Sequence, residues 1–308
     1  MEFIRNPQQL AFYPTGCAVT IGNFDGVHLG HQKVLQQLIA SAQAFNLPTV
    51  AIIFEPQPQE FFAPAKAPVR LTRLREKLKF MPHIDQVICL HFNAQLASLS
   101  AHDFIEQVLV KGLHAKHVVI GDDFRFGKRQ QGDFEVLQQI GQQYRFSLEK
   151  HHTYEFDGQR ISSTRVREAL EKGDLTLAHT LLGHSFSFCG KVRYGAQKGR
   201  EIGFPTANIA LHRSSSPLTG VFAVRVHRIK SYPLPGVANI GVRPTVDGKH
   251  LLLEVHLFDF NETIYGHYVE VEFVEKIRNE RQFPSFAALK AQIEQDAALA
   301  RSLFMDAL

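Results

Sequence analysis

The sequence predicts an α/β domain followed by a small antiparallel β domain that ends in a helix. Up to about residue 183, short apolar runs alternate with helical periodicity, which is typical of βαβ units and a parallel sheet. From residue 186 onward, strand patterns follow one another without helices between them, and this favours an antiparallel barrel or sandwich. The last segment, from about Pro284, carries apolar residues every three or four positions, as an amphipathic helix does.

The strands of the first half are predicted from short apolar or β-branched runs at 18–21, 49–54, 87–90 and 117–120. Helices are predicted over 31–45 and 103–111. Ligands of parallel α/β sheets bind at the carboxyl ends of the strands. Gly22 and Gly121 directly follow two of these strands and therefore mark the expected site.

The second half is predicted to form strands at 188–192, 221–226, 251–257 and 268–274. The final helix is expected to dock on the barrel through Phe286, Leu289, Ile293, Ala297, Ala300 and Phe304. The change of pattern predicts two domains, 1–185 and 186–308, and a chain of 308 residues is long enough for both.

Composition excludes several classes of protein. With 44% hydrophobic and 21% charged residues, the chain has enough apolar material for folded cores. No apolar run approaches the ~20 residues of a bilayer crossing, and the first residues do not resemble a signal peptide. Cys17, Cys89 and Cys189 suit a reducing compartment. We therefore expect a cytoplasmic protein without a membrane partner, and a formal charge of +4 suits nucleotide substrates but gives no reason to expect nucleic acid.

The segment from Gly22 to His31 lies between a predicted strand and a predicted helix. Its glycines let backbone N–H groups approach phosphate oxygens, and a helix N-terminus adds positive potential. Spacing alone leaves three interpretations open. His28 and His31 could donate to a triphosphate, they could bind a metal ion, or the glycines could simply turn the chain.

The residues His28-Leu29-Gly30-His31 resemble the HxGH signature of the nucleotidyltransferase superfamily, a Rossmann-like group. The longer string from Gly22 to His31 resembles the FMN adenylyltransferase module of bacterial FAD synthetases. This resemblance implies catalytic roles for His28 and His31. It also implies that the remaining loop residues bind ATP through its phosphates, namely Gly22, Asn23, Phe24, Asp25 and Gly30.

Residues 161–167 resemble another element of this family, Ile-Ser-Ser-Thr-x-x-Arg. Helical spacing of Val166, Ala169 and Leu170 predicts that the element opens a helix, and Ser163 or Thr164 could simply cap that helix. The resemblance implies a further role, in which the nucleotide is clamped by Ser162, Ser163, Thr164 and Arg167.

Residues 121–128, followed by Gly132-Asp133, resemble the flavin-side loop of the family. The resemblance implies flavin contacts for Asp123, Phe124 and Phe126, whereas the alternative for the two phenylalanines is simple packing. Residues 54–58 resemble a further family segment, Phe-x-Pro-x-Pro, at the flavin entrance, and we assign it no chemical role.

A glycine-rich stretch near residue 200 suggests a second phosphate site. Glycines at 195, 199 and 203 form a pliable loop whose N–H groups could cradle phosphates, although an ordinary turn is the alternative. Thr206 and Asn208 alternate on an extended segment and share a face. Hydroxyl and amide oxygens are suitable ligands for Mg²⁺.

The string from Gly195 to Asn208 resembles riboflavin kinase, and the resemblance continues through 236–245 and 253–257 to 278–283. It implies that ATP and its phosphates are bound by Gly195, Gly199, Arg200, Gly203 and Pro205. It implies that Mg²⁺ is held with the nucleotide by Thr206 and Asn208. It also implies flavin contacts for Arg278, Glu280 and Phe283.

Residues 251–257 are predicted to form a strand in which Glu254 and His256 share one face. A solvent-facing glutamate is the simplest interpretation of this pattern. However, Glu254-Val255-His256 matches the kinase segment that carries the catalytic carboxylate. The resemblance therefore implies that Glu254 is the general base, with His256 as its neighbour.

Together the matches span nearly the whole chain, which resembles the prokaryotic bifunctional riboflavin kinase/FAD synthetase family. The resemblance implies that riboflavin and ATP give FMN in 186–308, and that FMN and ATP give FAD and pyrophosphate in 1–185, both with Mg²⁺. Two alternatives stay open: a nucleic-acid-binding protein, and a flavin-binding regulatory protein with one module inactive. The sequence does not predict an oligomeric state.

Overall fold

A computed structural model describes residues 1–5, 13–81, 83–195, 203–245 and 248–305. The chain divides into two compact units. Unit 1 comprises Met1–Pro68 and Lys77–Ser162, and unit 2 comprises Val69–Glu76 and Ser163–Leu308. Residues 163–185 thus cluster with unit 2, as does the short stretch 69–76, here called the strap. The functional boundary between 185 and 186 stays a prediction.

Unit 1 is built on a six-stranded parallel sheet in the order β1-β4-β3-β2-β5-β6. The strands are β1 (Glu2–Ile4), β2 (Cys17–Ile21), β3 (Thr49–Glu55), β4 (Gln86–His91), β5 (Ala115–Gly121) and β6 (Ser147–His151). The strand order runs in opposite directions from β2 and β5, so their carboxyl ends form the topological switch point, where ligands of open α/β sheets bind. All five residues of β2 are buried, as expected for the centre of a parallel sheet.

The helices of unit 1 are α1 (Leu29–Phe45), α2 (Pro58–Phe62), α4 (Ala94–Ser98), α5 (Ala101–Phe104) and α6 (Phe134–Tyr144), and α3 (Leu74–Lys79) is shared between the two units. Two short 3-10 turns, Pro64–Lys66 and Lys128–Gln130, and a small hairpin of β7 (Glu155–Phe156) and β8 (Gln159–Arg160) complete it. The helix predicted over 103–111 is present, but it begins at Ala101 and continues past α5 as a π-helix, Ile105–Gly112. The chain passes from unit 2 to unit 1 within α3, between Glu76 and Lys77.

Unit 2 is a closed antiparallel barrel in the order β10-β13-β12-β11-β14-β9. Its strands are β9 (Ser187–Arg193), β10 (Ala207–Ala210), β11 (Gly220–His227), β12 (Leu234–Thr245), β13 (Gly248–Leu257) and β14 (Tyr268–Arg278). Helices α7 (Ser163–Lys172) and α8 (Leu175–Leu182) precede the barrel, and α9 (Phe286–Met305) follows it. Ala297 and Ala300 of α9 pack in one cluster with Val221 and Ala223 of β11. The predicted fold class is confirmed, with a barrel rather than a sandwich.

A buried ion pair fastens the strap to the barrel. The side chains of Glu76 and Arg213 are 3% and 4% exposed and form this pair. Glu76 also accepts a hydrogen bond from the Cys189 N–H at 2.9 Å. The Arg213 guanidinium lies 4.2 Å from the centroid of the Phe188 ring and donates to the Arg70 carbonyl at 2.9 Å. Loss of one partner of a buried ion pair is strongly destabilising. These contacts therefore hold the strap in unit 2.

Candidate active sites

The loop between β2 and α1 carries the first group of predicted residues at the switch point of unit 1. The Gly22 N–H donates to the Ile52 carbonyl at 3.1 Å. A Cβ atom at Gly22 would lie 3.0 Å from the Phe24 ring, so the glycine allows this ring to fold back. Phe24 and Val27 have φ values of 46° and 42°, which are unfavourable for residues other than glycine and above all for a β-branched one. Backbone strain of this kind clusters at functional sites.

His28 and His31 meet at the N-terminus of α1. Their rings stack with centroids 3.6 Å apart and an interplanar angle of 19°. The His28 Nδ1 accepts the His31 backbone N–H at 3.4 Å and so caps the helix. In a neutral His28 the proton therefore sits on Nε2, where it can be donated. A Cβ atom at Gly30 would lie 3.2 Å from the His28 ring, which explains the glycine between the histidines.

The electrostatic surroundings keep His31 neutral. Burial lowers the pKa of His31 well below its ordinary value, and the charges of His28, Lys77 and Arg160 lower it further. The Nδ1 atom of His31 is buried and has no hydrogen-bond partner in the part of the chain that the structure describes. A neutral imidazole with an unsatisfied nitrogen is suited to hydrogen bonding with a ligand.

The metal interpretation of the two histidines gains no support. Among the described residues, one group of three side chains is spaced to hold a metal ion, and it consists of His102, Asp103 and Glu106. Neither His28 nor His31 belongs to it. The phosphate role and the metal role of the two histidines therefore both stay predictions.

The Ile-Ser-Ser-Thr-x-x-Arg element is divided between the two units. Ser162 is the last residue of unit 1, and the carbonyl of Ile161 before it would lie 3.5 Å from a Cβ atom at Gly30. The structure thus brings this end of the element to the histidine loop. The first turns of α7, in unit 2, contain the other three predicted nucleotide contacts, Ser163, Thr164 and Arg167.

The predicted helix start in this element is present. Val166, Ala169 and Leu170 form the buried face of α7, as their spacing predicts. Within unit 2, the Arg167 Nε donates to the Val69 carbonyl of the strap at 2.5 Å.

A cavity of about 980 Å³ opens in unit 1, at the upper end of the range for small-molecule sites. Seven phenylalanines line it: Phe54, Phe61, Phe62, Phe92, Phe104, Phe124 and Phe126. Its described lining also contains four cations, Lys66, Arg125, Lys128 and Arg129, and no carboxylate. The cavity can therefore take a flat aromatic ring that carries negative charge.

Two of the three predicted flavin contacts of unit 1 line this cavity. The Phe124 and Phe126 rings stack with centroids 5.4 Å apart, and a Cβ atom at Gly132 would lie 2.6 Å from the Phe126 ring, so that glycine makes room for it. Asp123 is not part of the lining and pairs with Arg160 at 2.6 Å. The other five phenylalanines of the lining were not predicted from the sequence. The only signals that could have indicated them were the total of 25 phenylalanines in the chain and the segment that begins at Phe54.

In unit 2, strand register brings four polar residues into one row. Arg193 of β9 is opposite Asn208 of β10, Asn208 is opposite Glu254 of β13, and Glu254 is opposite Asn239 of β12. Directly opposed residues of antiparallel strands share a face. The other face of β13 is buried through Leu253, Val255 and Leu257. The predicted alternation of polar and buried faces around Glu254 is therefore confirmed. The position of Asn239 in the same row was not predicted.

The segment before β10 is held against this row. The His256 Nδ1 donates to the Pro205 carbonyl at 2.9 Å, and burial lowers the pKa of His256, so its ring is neutral. A Cβ atom at Gly195 would overlap the Asn208 amide, which makes glycine necessary there. In sequence, Thr206 lies between Pro205, which makes the first of these contacts, and Asn208, which makes the second. Gly203 has a φ of 84° and open space at its Cα atom, while the predicted phosphate contacts Gly199 and Arg200 lie outside the described residues.

The three residues predicted to bind flavin in unit 2 lie at and beyond the end of β14. The Arg278 Nε donates to both carboxylate oxygens of Asp296 at 2.9 Å, and its guanidinium lies 5.5 Å from the centroid of the Phe283 ring. The Glu280 carboxylate occupies the space that a Cβ atom at Gly241 would need. Asp296, buried on α9, was not anticipated, because its partner is distant in sequence.

Two family models match successive parts of the chain. A FAD synthetase family model matches residues 11–165, and a riboflavin kinase family model matches 182–304. A bifunctional riboflavin kinase/FMN adenylyltransferase of Escherichia coli (strain K12) is 50% identical over 307 residues, which cover 99% of this chain and 98% of the relative. The chain belongs to the bifunctional riboflavin kinase/FMN adenylyltransferase family.

One further relative and one solved structure match the chain over nearly its whole length. The bifunctional riboflavin kinase/FMN adenylyltransferase of Haemophilus influenzae is also 50% identical, over 99% of both chains. A crystal structure described as a macrolide-efflux protein from Streptococcus pneumoniae matches with a TM-score of 0.83 and 30% identity, over 98% of this chain and 99% of that one. Family membership confirms the predicted bifunctional enzyme with both transferase domains. None of the described helices combines the length and apolarity needed to span a membrane.

Proposed function

We propose that the chain phosphorylates riboflavin to FMN in residues 186–308 and adenylylates FMN to FAD in residues 1–185, with ATP as the second substrate of both reactions. The observation that supports this division is the contrast between two sites. Unit 1 has a stacked histidine pair at the switch point, with His31 neutral, and an aromatic cavity with cations in its wall. Unit 2 has a polar row that contains a carboxylate on its barrel strands.

In adenylyl transfer, an FMN phosphate oxygen attacks the α-phosphorus of ATP, and the bond to pyrophosphate breaks. His28 and His31 are the proposed catalytic residues, because preorganised N–H donors stabilise the charge that develops on the leaving pyrophosphate. The proposed ATP contacts are Gly22, Asn23, Phe24, Asp25, Gly30, Ser162, Ser163, Thr164 and Arg167. Phe124 and Phe126 would hold the flavin ring, and Asp123 stays a predicted contact outside the described lining.

In the kinase step, the ribityl 5′-hydroxyl attacks the γ-phosphorus of ATP, and ADP leaves. Glu254 is the proposed general base that accepts the hydroxyl proton. The proposed ATP contacts are Gly195, Gly199, Arg200, Gly203 and Pro205, and the proposed flavin contacts are Arg278, Glu280 and Phe283.

Mg²⁺ is the proposed metal of both reactions. The hydroxyl of Thr206 and the amide oxygen of Asn208 are hard donors that fit it, and Asn208 lies in the same row as Glu254. Mg²⁺ bound there with the nucleotide would neutralise phosphate charge. We place the enzyme in the cytoplasm, because Cys17, Cys89 and Cys189 are buried free thiols, as is common in a reducing compartment.

The test is to incubate the protein with riboflavin, ATP and Mg²⁺ and to separate the flavins by chromatography. FMN should appear first and FAD second, and added FMN should give FAD directly. Chelation of Mg²⁺ should stop both steps. A protein that binds flavin but fails to carry out one of the two steps would instead be the regulatory alternative, with that module inactive.

A further inference from the structure

A lysine lies buried beneath the histidine loop of unit 1. Lys77, on α3, is 1% exposed, and its Nζ donates to the carbonyl of Asn23. Taking an ammonium group out of water costs several kcal/mol unless fixed interactions compensate for it. The loop that receives this hydrogen bond holds the strained residues Phe24 and Val27, so the lysine fixes the backbone at the point where strain is concentrated.

The charge of Lys77 reaches the histidine pair. It is one of three positive groups that lower the pKa of His31, together with His28 on the same turn and Arg160 from β8. Charges interact more strongly where water is excluded. An ammonium group that acts on His31 will also act on an anion that His31 contacts.

We propose that Lys77 is a positioning residue for adenylyl transfer, which holds the Asn23 carbonyl and places a fixed positive charge behind the ATP phosphates. This inference rests on the proposed phosphate role of the loop. It assigns a function to a lysine that the helical sequence Leu-Arg-Glu-Lys-Leu-Lys would otherwise leave as one basic residue among several.

The decisive variant is Lys77→Met, which keeps an unbranched side chain and removes the charge. Conversion of FMN to FAD should slow by roughly 10²-fold in kcat, as a misplaced reacting group typically does, with little change in KM for FMN. Lys79→Met is the matched control, because Lys79 lies two residues further on the same helix and is exposed. This control and the riboflavin kinase activity of the same chain should remain normal.

The pH profile separates a charge effect from a merely structural one. If neutral His31 is the working form, FAD formation falls as the pH drops through the His31 pKa. Removing the Lys77 charge raises that pKa, so the acid limb of kcat/KM in Lys77→Met should move to higher pH, measured between about pH 5 and 9. In Lys77→Arg, which retains the charge, the limb should stay where the wild type has it.

Lys77→Gln is the second variant, for use if Lys77→Met does not fold, because it keeps a hydrogen-bond donor without the charge. It should show the same shift of the acid limb and the same loss of kcat for FAD formation. FAD formation within a factor of two of wild type, with an unchanged pH profile, in either folded variant would overturn the inference. Failure of both to fold while Lys79→Met folds would also overturn it, because Lys77 would then serve the fold alone. A wild type that makes no FAD would contradict the proposed function itself.

Discussion

The two proposed active sites are built in opposite ways. In unit 1 the histidine loop is one continuous segment, 22–31, and its geometry comes from a strained backbone and a stacked histidine pair. In unit 2 the residues Asn208, Glu254 and Asn239 come from three strands, and only their register places them in one row. A site of the first kind depends on local conformation, whereas one of the second kind depends on the integrity of the barrel.

The largest effect is expected at the carboxylate of the barrel row. Glu254→Gln keeps the size of the side chain and removes its ability to accept a proton. Loss of a general base typically costs about 10²–10⁴ in rate, so FMN formation should fall by that order while riboflavin still binds. The measurement is kinase turnover with saturating riboflavin and ATP.

Formation of FAD from added FMN is the internal control for Glu254→Gln and should be unchanged. Kinase turnover within a factor of a few of wild type would remove Glu254 from its proposed role. His256 would then be the next candidate, although its tie to the Pro205 carbonyl points to a role in positioning.

Sequence reasoning succeeded where the pattern is local. The buried face of α7, through Val166, Ala169 and Leu170, and the alternation of β13 around Glu254 both follow from periodicity over a few residues. The position of Gly22 and Gly121 at the carboxyl ends of β2 and β5 follows from the βαβ pattern.

The features that sequence reasoning missed depend on distant partners. β6, with the sequence Ser-Leu-Glu-Lys-His, has no buried residue and therefore no apolar run to indicate a strand. Glu76 and Lys77 resemble solvent-facing residues of a short charged helix. They are buried because the partner of Glu76 is Arg213, which is 137 positions away, and that of Lys77 is Asn23, which is 54 positions away.

The dependence of the barrel on the whole fold can be tested at the strap. Glu76→Gln removes the carboxylate that pairs with the buried Arg213 guanidinium. Breaking such a pair typically costs about 3–5 kcal/mol, so kinase activity should be lost at a clearly lower urea concentration than in wild type. The midpoint of that loss is the measurement.

The matched control for the strap is Glu262→Gln. Glu262 pairs with Lys230 at 2.5 Å, but its side chain is 56% exposed, and exposed pairs contribute about 0–1 kcal/mol. Equal urea midpoints for the two variants would show that the strap contributes little to the stability of unit 2.

The loop site should respond to a single change without loss of the fold. His31→Ala removes one preorganised donor, which typically costs about 10²–10³ in rate, and FAD formation should fall while FMN formation stays intact. His83→Ala, at an exposed histidine of the same unit, should change neither rate. If His31→Ala instead strips a tightly bound transition metal that wild type carries, the metal interpretation is correct.

The acid dependence of FAD formation tests the same histidine. Because the pKa of His31 lies well below its ordinary value of 6.5, the residue stays neutral as the pH falls from about 8 to 6.5. Wild-type FAD formation should therefore lose no activity to His31 protonation in that range and should fall only at lower pH. An acid limb centred near the ordinary histidine value and absent from His31→Ala would contradict a lowered pKa of His31.

The smallest effect is expected in the aromatic wall of unit 1, where seven phenylalanines share the contact with a ring. Phe124→Ala removes one face of the stacked pair with Phe126 and leaves the other six rings in place. An aromatic pair contributes about 0.5–1.5 kcal/mol beyond its buried area, so KM for FMN should rise roughly twofold to tenfold, with little change in kcat. Phe45→Ala, at an exposed phenylalanine outside the cavity, is the matched control. A fall in kcat with unchanged KM for FMN would place Phe124 at the reacting phosphates instead of the flavin ring. A raised KM for riboflavin in the kinase step would show that the two sites do not act separately.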